Sequence, residues 1–343
     1  MASGARKLLF ILWLCISSAS TTISFAQTSK EIHVAPAPLF RDPVTDGAAD
    51  PVIIYNEQEK SWWMLYTQRR ANQETPDVAF CYGNPIGVAS TDDHGKTWVY
   101  RGTLNLAIEP GTNTFWAPDI VFHNGVYHLF VTYIRGVRNH WGGASQLAYY
   151  TSKNMWDWKF EQFIDVGMEN VIDGCIMQKP GGGWRMWFKG HDSQTYASDS
   201  KDLKNWKMQK EPVIKGDPHE GPNVFEFAGY YWMLTDEWSG MRVYRSKDLT
   251  NWDKQGKILY EEDGKRFDDH PTGAHGDAVV AGGKVYVFYF THPGRKKHSE
   301  AQMNASGIYP FEQRRSSIQV ASLEYKDGTL VAKRDEPFDF WLP

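Results

Sequence analysis

The feature that most constrains the fold of this chain is a unit that recurs five times along it. Each copy joins a short apolar strand to an aromatic-rich strand through a turn that mostly carries glycine. The copies are PVIIY (51–55) with WWMLYT (62–67), DIVFH (119–123) with YHLFVTY (127–133), CIMQ (175–178) with WRMWFKG (184–190), NVFEF (223–227) with YYWMLTDE (230–237) and AVVA (278–281) with VYVFYFTH (285–292). Because the first strands begin roughly 50 to 70 residues apart, each copy has room for four antiparallel strands. The repeat predicts an all-β, five-bladed β-propeller with four-stranded blades around a central channel.

A second repeated pattern places tryptophan after a serine and an acidic or amide residue. Its copies are Ser90, Asp92 and Trp98; Ser152, Asn154 and Trp158; Ser200, Asp202 and Trp206; and Ser246, Asp248 and Trp252. The first copy resembles the Asp-box of sialidases and other propellers. We expect the carboxylate or amide to cap a tight turn and the tryptophan to pack between blades. The last stretch, IQVASLEY (318–325), is expected to pair with the N-terminal segment and close the ring.

The N-terminus has the order of a secretory signal peptide: basic residues, an apolar run (8–16), and small residues up to Ala26. The run of about nine apolar residues is too short to span a bilayer, which takes roughly 20. We therefore expect a signal peptide over 1–26, release into the periplasm or medium, and one propeller domain over 27–343. Helical periodicity is nearly absent, which leaves no room for an appended module.

Composition narrows the class of partner. A net charge of −4 and a pI near 6.3 argue against nucleic acid and against an anionic membrane surface. Aromatic residues make up 15% of the chain and include 15 tryptophans, whose faces stack well on sugar rings. Cys81 and Cys175 are the cysteines left after the predicted cleavage, so one disulfide is the maximum.

Titratable residues recur where the inner strands begin. In a propeller these strands line the channel, so their starts converge on one mouth. The starts hold Asp50, Asp119, Asp173, Glu220 and His275. Carboxylates gathered in one funnel repel each other, and some then have raised pKa values. Such a group supplies the carboxylic acid and the carboxylate that glycoside hydrolysis requires.

Five segments together carry a family resemblance. They are ADPVIIY (49–55), WAPDIVFHNGVYHLF (116–130), IDGCIMQ (172–178), HEGPNVFEFAGYYWML (219–234) and SKDLTNW (246–252). In their order and spacing they resemble glycoside hydrolase family 43, in a superfamily that includes families 32, 117 and 130, over essentially the whole mature chain. The resemblance implies an inverting glycosidase of plant or algal oligosaccharides, of arabinofuranoside, xyloside or galactoside type.

The resemblance also implies catalytic roles. Asp50 matches the general base, Glu220 the general acid, and Asp173 the residue that tunes the pKa of the acid and orients it. Asp173 precedes Gly174, where the family usually has proline. The sequence RDP (41–43) resembles a motif of fructoside-cleaving propellers and offers Asp42 as a competing base. We prefer Asp50 because it directly enters the strand VIIY.

Further positions are implied to contact sugar or an ion. Trp116 resembles a subsite platform, Asp119 a sugar-contacting or scaffold residue, and His219 a sugar-contacting neighbour of the acid. The resemblance implies no required cofactor, with calcium or another ion held in the channel at His275. The alternative for His275 is a channel histidine bonded within the protein. No cysteine and histidine spacing indicates zinc.

Loops between second and third strands should lie at the same mouth as the inner-strand starts. They carry Gln68, Arg69 and Arg70; Arg135, Arg138, His140 and Trp141; His191 and Asp192; Glu237 and Trp238; and His292, Arg295, Lys296, Lys297 and His298. From these we expect Arg69, Trp141, Trp238 and Arg295 to bind substrate. The cationic balance favours a carboxylate, a sulfate or an inorganic anion as ligand. The alternative is that the arginines pair with local acids such as Glu74 and Asp77.

Two other functions stay open at this stage. A phosphorylase of the mannoside-acting propeller type would use phosphate in place of water, although export argues against a reliable phosphate supply. A non-catalytic sugar-binding propeller would bind without turnover. In each case we expect a monomer whose partner is an oligosaccharide or polysaccharide.

Overall fold

The computed structural model describes Met1 and residues 32–260, 264–295 and 302–343. Ile32–Pro343 form one compact unit. The predicted signal peptide, apart from Met1, lies outside the described residues, so that assignment and the domain boundary stay predictions. Cys81 and Cys175 are both buried free thiols. Within the described ranges, no helix is long and apolar enough to cross a membrane.

Five antiparallel sheets of four strands each make up the fold. The blades are β1 (Ala48–Asn56), β2 (Ser61–Gln68), β3 (Ile86–Thr91) and β4 (Val99–Thr103); β5 (Thr114–His123), β6 (Val126–Ile134), β7 (Ser145–Ser152) and β8 (Lys159–Ile164); β9 (Ile172–Gln178), β10 (Trp184–Lys189), β11 (Thr195–Ser200) and β12 (Trp206–Met208); β13 (Glu220–Phe227), β14 (Tyr230–Asp236), β15 (Met241–Ser246) and β16 (Trp252–Ile258); and β17 (Ala274–Ala281), β18 (Lys284–Thr291), β19 (Ser317–Lys326) and β20 (Thr329–Lys333). Helix in the described chain is limited to a 3₁₀ turn (Asp77–Cys81) and α1 (Phe311–Arg314). The predicted five-bladed β-propeller is confirmed.

The inner strands β1, β5, β9, β13 and β17 contact one another in cyclic order, and β17 returns to β1. The core lies between neighbouring blades. Val52 and Leu65 of blade 1, for example, pack with Leu129 and Val131 of blade 2 in one buried cluster. Apolar β-branched and aromatic residues fill both faces of the second strands, because each blade is covered on both sides.

The turns at the outer ends of the blades confirm most of the second repeat. Asp248 Oδ1 accepts the N–H groups of Thr250 and Asn251 at 2.9 and 2.8 Å. Trp252 packs edge-on against Trp187 of the preceding blade, with ring centroids 6.2 Å apart. The aspartate therefore caps the turn, and the tryptophan packs between blades, as predicted.

In blade 1 the predicted register of this turn is wrong. The cap is made by Thr91 and Asp93, whose side chains accept the N–H groups of Gly95 and Thr97 at 3.1 and 2.8 Å, and not by Ser90 and Asp92. The turn is longer here, because Ser90 and Trp98 are two positions farther apart than the matching serine and tryptophan of the other copies.

The predicted closure of the ring needs a correction. Residues 318–325 belong to β19, which pairs with β18 and β20 inside the fifth blade. The N-terminal segment meets it through single bridges, at Phe40 with Ile318 and at Gly47 with Ser316. The long connection between β18 and β19 obscured the strand period of this blade in the sequence.

A register shift opens each inner strand and brings one residue to the mouth of the channel. Four residues at this position have left-handed backbone: Asp50 (φ 49°), Ala117 (44°), Asp173 (58°) and Gly221 (58°). His275 holds the matching position in blade 5. We call this the mouth position, and it explains why residues far apart in the chain meet at one site.

Candidate active site

The His275 ring lies at the centre of the mouth. Its Nδ1 is 3.6 Å from Oδ1 of Asp50. A Cβ atom added to Gly221 would lie 2.5 Å from the ring, so the close approach requires glycine there. Burial opposes the charged imidazole, but four nearby carboxylates, those of Asp173, Asp50 and Glu220 among them, outweigh burial and raise the pKa of His275. The imidazolium therefore offsets part of their negative charge.

Asp173 is buried and fixed through the backbone. Its Oδ2 accepts the N–H of Gly221, the residue after Glu220, at 3.1 Å. Its own N–H donates to Thr132 Oγ1 at 3.0 Å. Burial raises the pKa of Asp173 to about 6, with the Glu220 charge acting in the same direction. Gly174 in place of proline has not moved this carboxylate away from the mouth.

Glu220 makes two strong side-chain contacts. Its Oε2 accepts from Lys189 Nζ at 3.0 Å and its Oε1 from Trp238 Nε1 at 2.9 Å. Burial disfavours the carboxylate, but the Lys189 charge and the Trp238 bond outweigh it and hold the pKa of Glu220 below its ordinary value. The prediction that like-charge repulsion raises the pKa of the acid therefore does not hold at Glu220. The pKa is raised at Asp173 instead.

Sequence reasoning missed Lys189 and Asp236. Asp236 is buried at the end of β14, where it accepts the N–H groups of His275 at 2.9 Å and Trp238 at 2.7 Å. Burial and the Glu220 charge raise the pKa of Asp236 to about 7. Each is the last residue of an aromatic second strand. A charged residue at the end of such a strand is the sequence signal that could have identified them.

Asp119 lies two residues beyond the mouth position and links two blades. Its Oδ2 accepts the N–H of Ile176 on the next inner strand at 2.6 Å. The same link recurs from Val224 N–H to Cys175 Sγ (3.3 Å), from Ala278 N–H to Asn223 Oδ1 (3.0 Å), and from Ile53 N–H to Asp277 Oδ2 (2.8 Å). Burial and the Asp277 charge raise the pKa of Asp119 to about 7. The scaffold alternative for Asp119 therefore fits better than sugar contact.

His219 does not face the mouth. It is 1% exposed, its Nδ1 donates to the Asp217 carbonyl at 2.8 Å, and its Nε2 accepts from Thr195 Oγ1 at 2.8 Å. With both nitrogens bonded inside the protein, the predicted sugar contact of His219 is wrong. The residue supports the turn that leads to Glu220.

Asp42, the competing base, is 2% exposed and saturated with donors. Its Oδ1 accepts from Val44 N–H at 2.9 Å, and its Oδ2 from Gln68 Nε2 at 2.6 Å and from the Tyr66 hydroxyl. A carboxylate with this many donors holds a turn in place and has no capacity left for water. The geometry favours Asp50 as the base.

Two exposed tryptophans lie in loops between second and third strands. Trp141 and Trp238 are 59% and 52% exposed. Trp141 extends an aromatic cluster with Tyr82 and Trp116, whose ring centroids lie 6.2 and 6.3 Å from it. Such faces suit sugar stacking.

The described residues do not form a direct calcium site at His275. A cavity of about 20 Å³ lies on the axis beneath the ring, lined by Asp119, Asn223 and Asp277 among others, and it has room for one water. Calcium takes six to eight oxygen ligands. Over residues 32–260, 264–295 and 302–343 no group of three or more His, Cys, Asp or Glu side chains could hold a metal ion.

These features define a class: a five-bladed β-propeller with a cluster of carboxylates and one histidine at the axial mouth, built from side chains of different blades. No protein-family model matches the chain. The probable arabinan endo-1,5-alpha-L-arabinosidase A of Emericella nidulans is 25% identical over 173 residues, which cover 46% of this chain and 53% of that protein. The chain spans about half the length of the curated relatives that it matches.

Solved structures share the whole architecture. A thermostable family-43 glycoside hydrolase has a TM-score of 0.62 at 18% identity, over 89% of this chain and 98% of that chain. The xylan beta-1,4-xylosidase from Bacillus halodurans C-125 has a TM-score of 0.63 at 15% identity, over 87% of this chain and 57% of that chain. At these identities the likeness establishes the fold. The chain is a five-bladed β-propeller like those of glycoside hydrolase family 43, as its motifs had indicated.

Proposed function

We propose that this protein is a glycoside hydrolase that cleaves O-glycosidic bonds of oligosaccharides with inversion at the anomeric carbon. The observation that carries the proposal is the meeting of Asp50, Asp173 and Glu220, from three blades, around His275. Inverting hydrolysis needs an acid and a base on opposite sides of the sugar. The likeness to family 43 enzymes supports the same assignment.

In the proposed reaction, Asp50 takes a proton from water while the water oxygen bonds to the anomeric carbon. Glu220 gives its proton to the glycosidic oxygen as the C–O bond breaks. The step leaves Asp50 protonated and Glu220 ionised, and proton exchange with solvent restores both. The Glu220 side chain is 27% exposed and that of Asp50 9%, so the leaving group would face outward and the water would lie deeper.

The proposal places a requirement on Lys189. Because its ion pair stabilises ionised Glu220, Glu220 takes up the catalytic proton only when that contact opens in the substrate complex. Trp238, which bonds Glu220 and is exposed to the mouth, is placed to respond to a bound sugar.

The proposed substrates are arabinofuranosides, xylosides or galactosides in short chains from plant or algal polysaccharides. The arabinan-acting relative and the xylosidase structure make arabino- and xylo-oligosaccharides the first to test. Export and a monomeric state belong to the same proposal and rest on the N-terminal sequence and the size of the domain.

The test is a screen of these oligosaccharides with the product anomer followed by NMR. We expect hydrolysis in which the first-formed sugar has the anomeric configuration opposite to that of the substrate, and loss of turnover in Glu220→Gln. Retention of configuration, or turnover that requires inorganic phosphate, would reject the proposal. Binding without turnover would assign a sugar-binding propeller instead.

A further inference from the structure

Arg69 is held at the mouth by partners that leave much of its charge available. Its Nη2 is 3.4 Å from Oδ2 of Asp50, and its guanidinium packs over the Phe290 ring, 4.8 Å from the centroid. The buried Nε has no hydrogen-bond partner in the described chain. Asp50 is shared with His275, so this one carboxylate neutralises neither cation fully.

The other partner of Arg69 is a neutral histidine. His292 Nδ1 lies 3.0 Å from the Arg315 carbonyl, which can only accept, so Nδ1 carries the hydrogen. Its Nε2, 3.3 Å from Arg69 Nη1, is then free to accept. Burial, together with the Arg295 and Arg69 charges, lowers the pKa of His292 and keeps it neutral. His292 therefore orients Arg69 without cancelling its charge.

Arg295 is the second arginine of this region, and its charge interacts with that of Arg69. Its N–H donates to the His292 carbonyl at 2.9 Å in a tight turn. A Cβ atom on Gly294 would lie 2.4 Å from the Glu312 carbonyl, so only glycine allows this turn to pack against α1. Residue 295 has solvent-exposed surface, although neighbouring protein shields its guanidinium from water, and no carboxylate of the described residues pairs with it. Burial of the recess and the Arg69 charge lower the pKa of Arg295 to about 10.

Several other cations of these loops are paired or hydrogen-bonded within the protein. Arg135 pairs with Glu109, and both Arg242 and Lys257 pair with Glu237. Arg70 stiffens its loop by donating to the carbonyls of Tyr82 and Ala79 at 2.7 and 2.8 Å. In the described chain, no ion pair joins Glu74 or Asp77 to Arg69 or Arg295. The local-pairing alternative therefore describes these cations. It does not describe Arg69, whose carboxylate Asp50 is shared with His275, or Arg295, which has no carboxylate partner among the described residues.

We propose that Arg69 and Arg295 form a subsite for an oxyanion carried by the sugar, a carboxylate or a sulfate ester, next to Asp50. The inference rests on the proposed glycosidase function and names its substrate class: an anionic glycoside. Two adjacent guanidinium forks can each donate paired N–H bonds to such a group. Because Arg69 touches Asp50, the anion would lie on the sugar that is being cleaved.

The kinetic test compares glycosides that differ in one group. Each assay pairs a neutral glycoside with an anionic one in buffer free of phosphate and sulfate. The pairs are galactoside and galacturonide, glucoside and glucuronide, and each neutral glycoside and its 6-sulfate. We expect kcat/KM to be about 10- to 100-fold higher for the anionic member, as for a hydrogen-bonded charge pair. Comparing the uronide pairs with the sulfate pairs shows whether the subsite prefers a carboxylate or a sulfate ester. Equal or higher rates on every neutral member, or a dependence on phosphate, would overturn the inference.

Variants locate the effect. Arg295→Gln should lower kcat/KM more on the anionic member of each pair than on the neutral one, and Arg295→Lys should keep part of the preference because the charge remains without the fork. Arg135→Gln, whose side chain is 78% exposed and pairs with Glu109, is the matched control and should keep the preference. Loss of preference in the control as well as in Arg295→Gln would assign the effect to general charge and overturn the subsite.

Binding separates this inference from the proposed catalysis. In the Glu220→Gln background, calorimetry would compare galacturonate with galactose and glucuronate with glucose. Tighter binding of a uronate that Arg295→Gln abolishes supports the subsite even if no glycoside is hydrolysed. Hydrolysis of neutral glycosides with no uronate binding would leave the proposed function standing and reject the subsite.

Discussion

Aspartates at the two ends of the blades have opposite surroundings. At the mouth, Asp173 accepts one backbone N–H in a buried site among other carboxylates, and burial raises its pKa to about 6. At the far end, Asp202 and Asp248 each accept two backbone N–H bonds in a turn, and these bonds hold the pKa of each below its usual range. One residue type therefore serves as a buried titrating group at one end and as a permanent anion at the other.

The pKa of each aspartate depends on how many hydrogen-bond donors its carboxylate has and on how deeply it is buried. A carboxylate that loses water gains a raised pKa unless hydrogen bonds and cations replace the water. In the turns, backbone N–H groups take the place of the lost water. At the mouth, burial outweighs the backbone donors of Asp173 and Asp236, and carboxylates with raised pKa values are where proton transfer chemistry is expected. Asp119 stands between the two: it is bonded like a turn aspartate, yet its pKa is raised to about 7.

The largest expected effect is on turnover at the mouth. Asp50→Asn should lower kcat/KM by about 10²- to 10⁴-fold, because the amide cannot accept the proton of the attacking water. Asparagine tolerates the left-handed backbone of residue 50, so the fold should persist. Asp253→Asn, at a side chain 76% exposed in an outer strand, is the control and should stay active. Near-wild-type activity in a folded Asp50→Asn variant would show that Asp50 is not the general base.

The next effect concerns stability at Asp119. Its folded pKa of about 7 lies above the unfolded value near 3.8, so its contribution is complete below pH 4 and is lost as pH rises through 7. The free energy of unfolding should therefore fall with rising pH by about 1.4 kcal/mol per unit from this group. Asp119→Asn, which can still accept from Ile176, should flatten that slope in denaturant titrations at pH 4 to 8. An unchanged slope would show that Asp119 is ionised throughout.

A third effect is on the pH profile. Lys189→Met removes the cation that lowers the pKa of Glu220, so the pKa should rise and the acid should keep its proton at higher pH. The falling, alkaline limb of kcat/KM should move to higher pH. Lys215→Met, an exposed lysine paired with Glu211, should leave the limb in place. A shift toward lower pH in Lys189→Met would mean that Glu220 does not supply the proton.

Much of the fold could be predicted because its signals are local. Alternating apolar and aromatic strands with glycine turns specify hairpins, and five copies of them leave a propeller as the simplest ring. Asp50, Asp173 and His275 could be placed because each begins such a strand. The closure of blade 5 could not, since the long connection before β19 hides the period.

Side-chain partners were less predictable. Lys189 and His219 are both polar neighbours of the inner-strand region in sequence, yet one reaches Glu220 and the other bonds Thr195 beneath the surface. Their directions depend on the register of neighbouring strands and on the bulges, which a strand pattern does not encode. The sequence predicted that Asp173 tunes the pKa of Glu220. It did not indicate that Lys189, which bonds Glu220, lowers that pKa.

The smallest expected effect lies at the far end. Asp248→Ala removes the acceptor for Thr250 and Asn251, so the free energy of unfolding should fall by about 1 kcal/mol in chemical denaturation. kcat/KM should not change, because the turn lies at the opposite end of the blade from Glu220. Asp202→Ala removes the same cap from blade 3 and should behave alike. A loss of activity in either variant larger than its loss of folded protein would show that the two ends are coupled, and the division between titrating and capping aspartates would no longer hold.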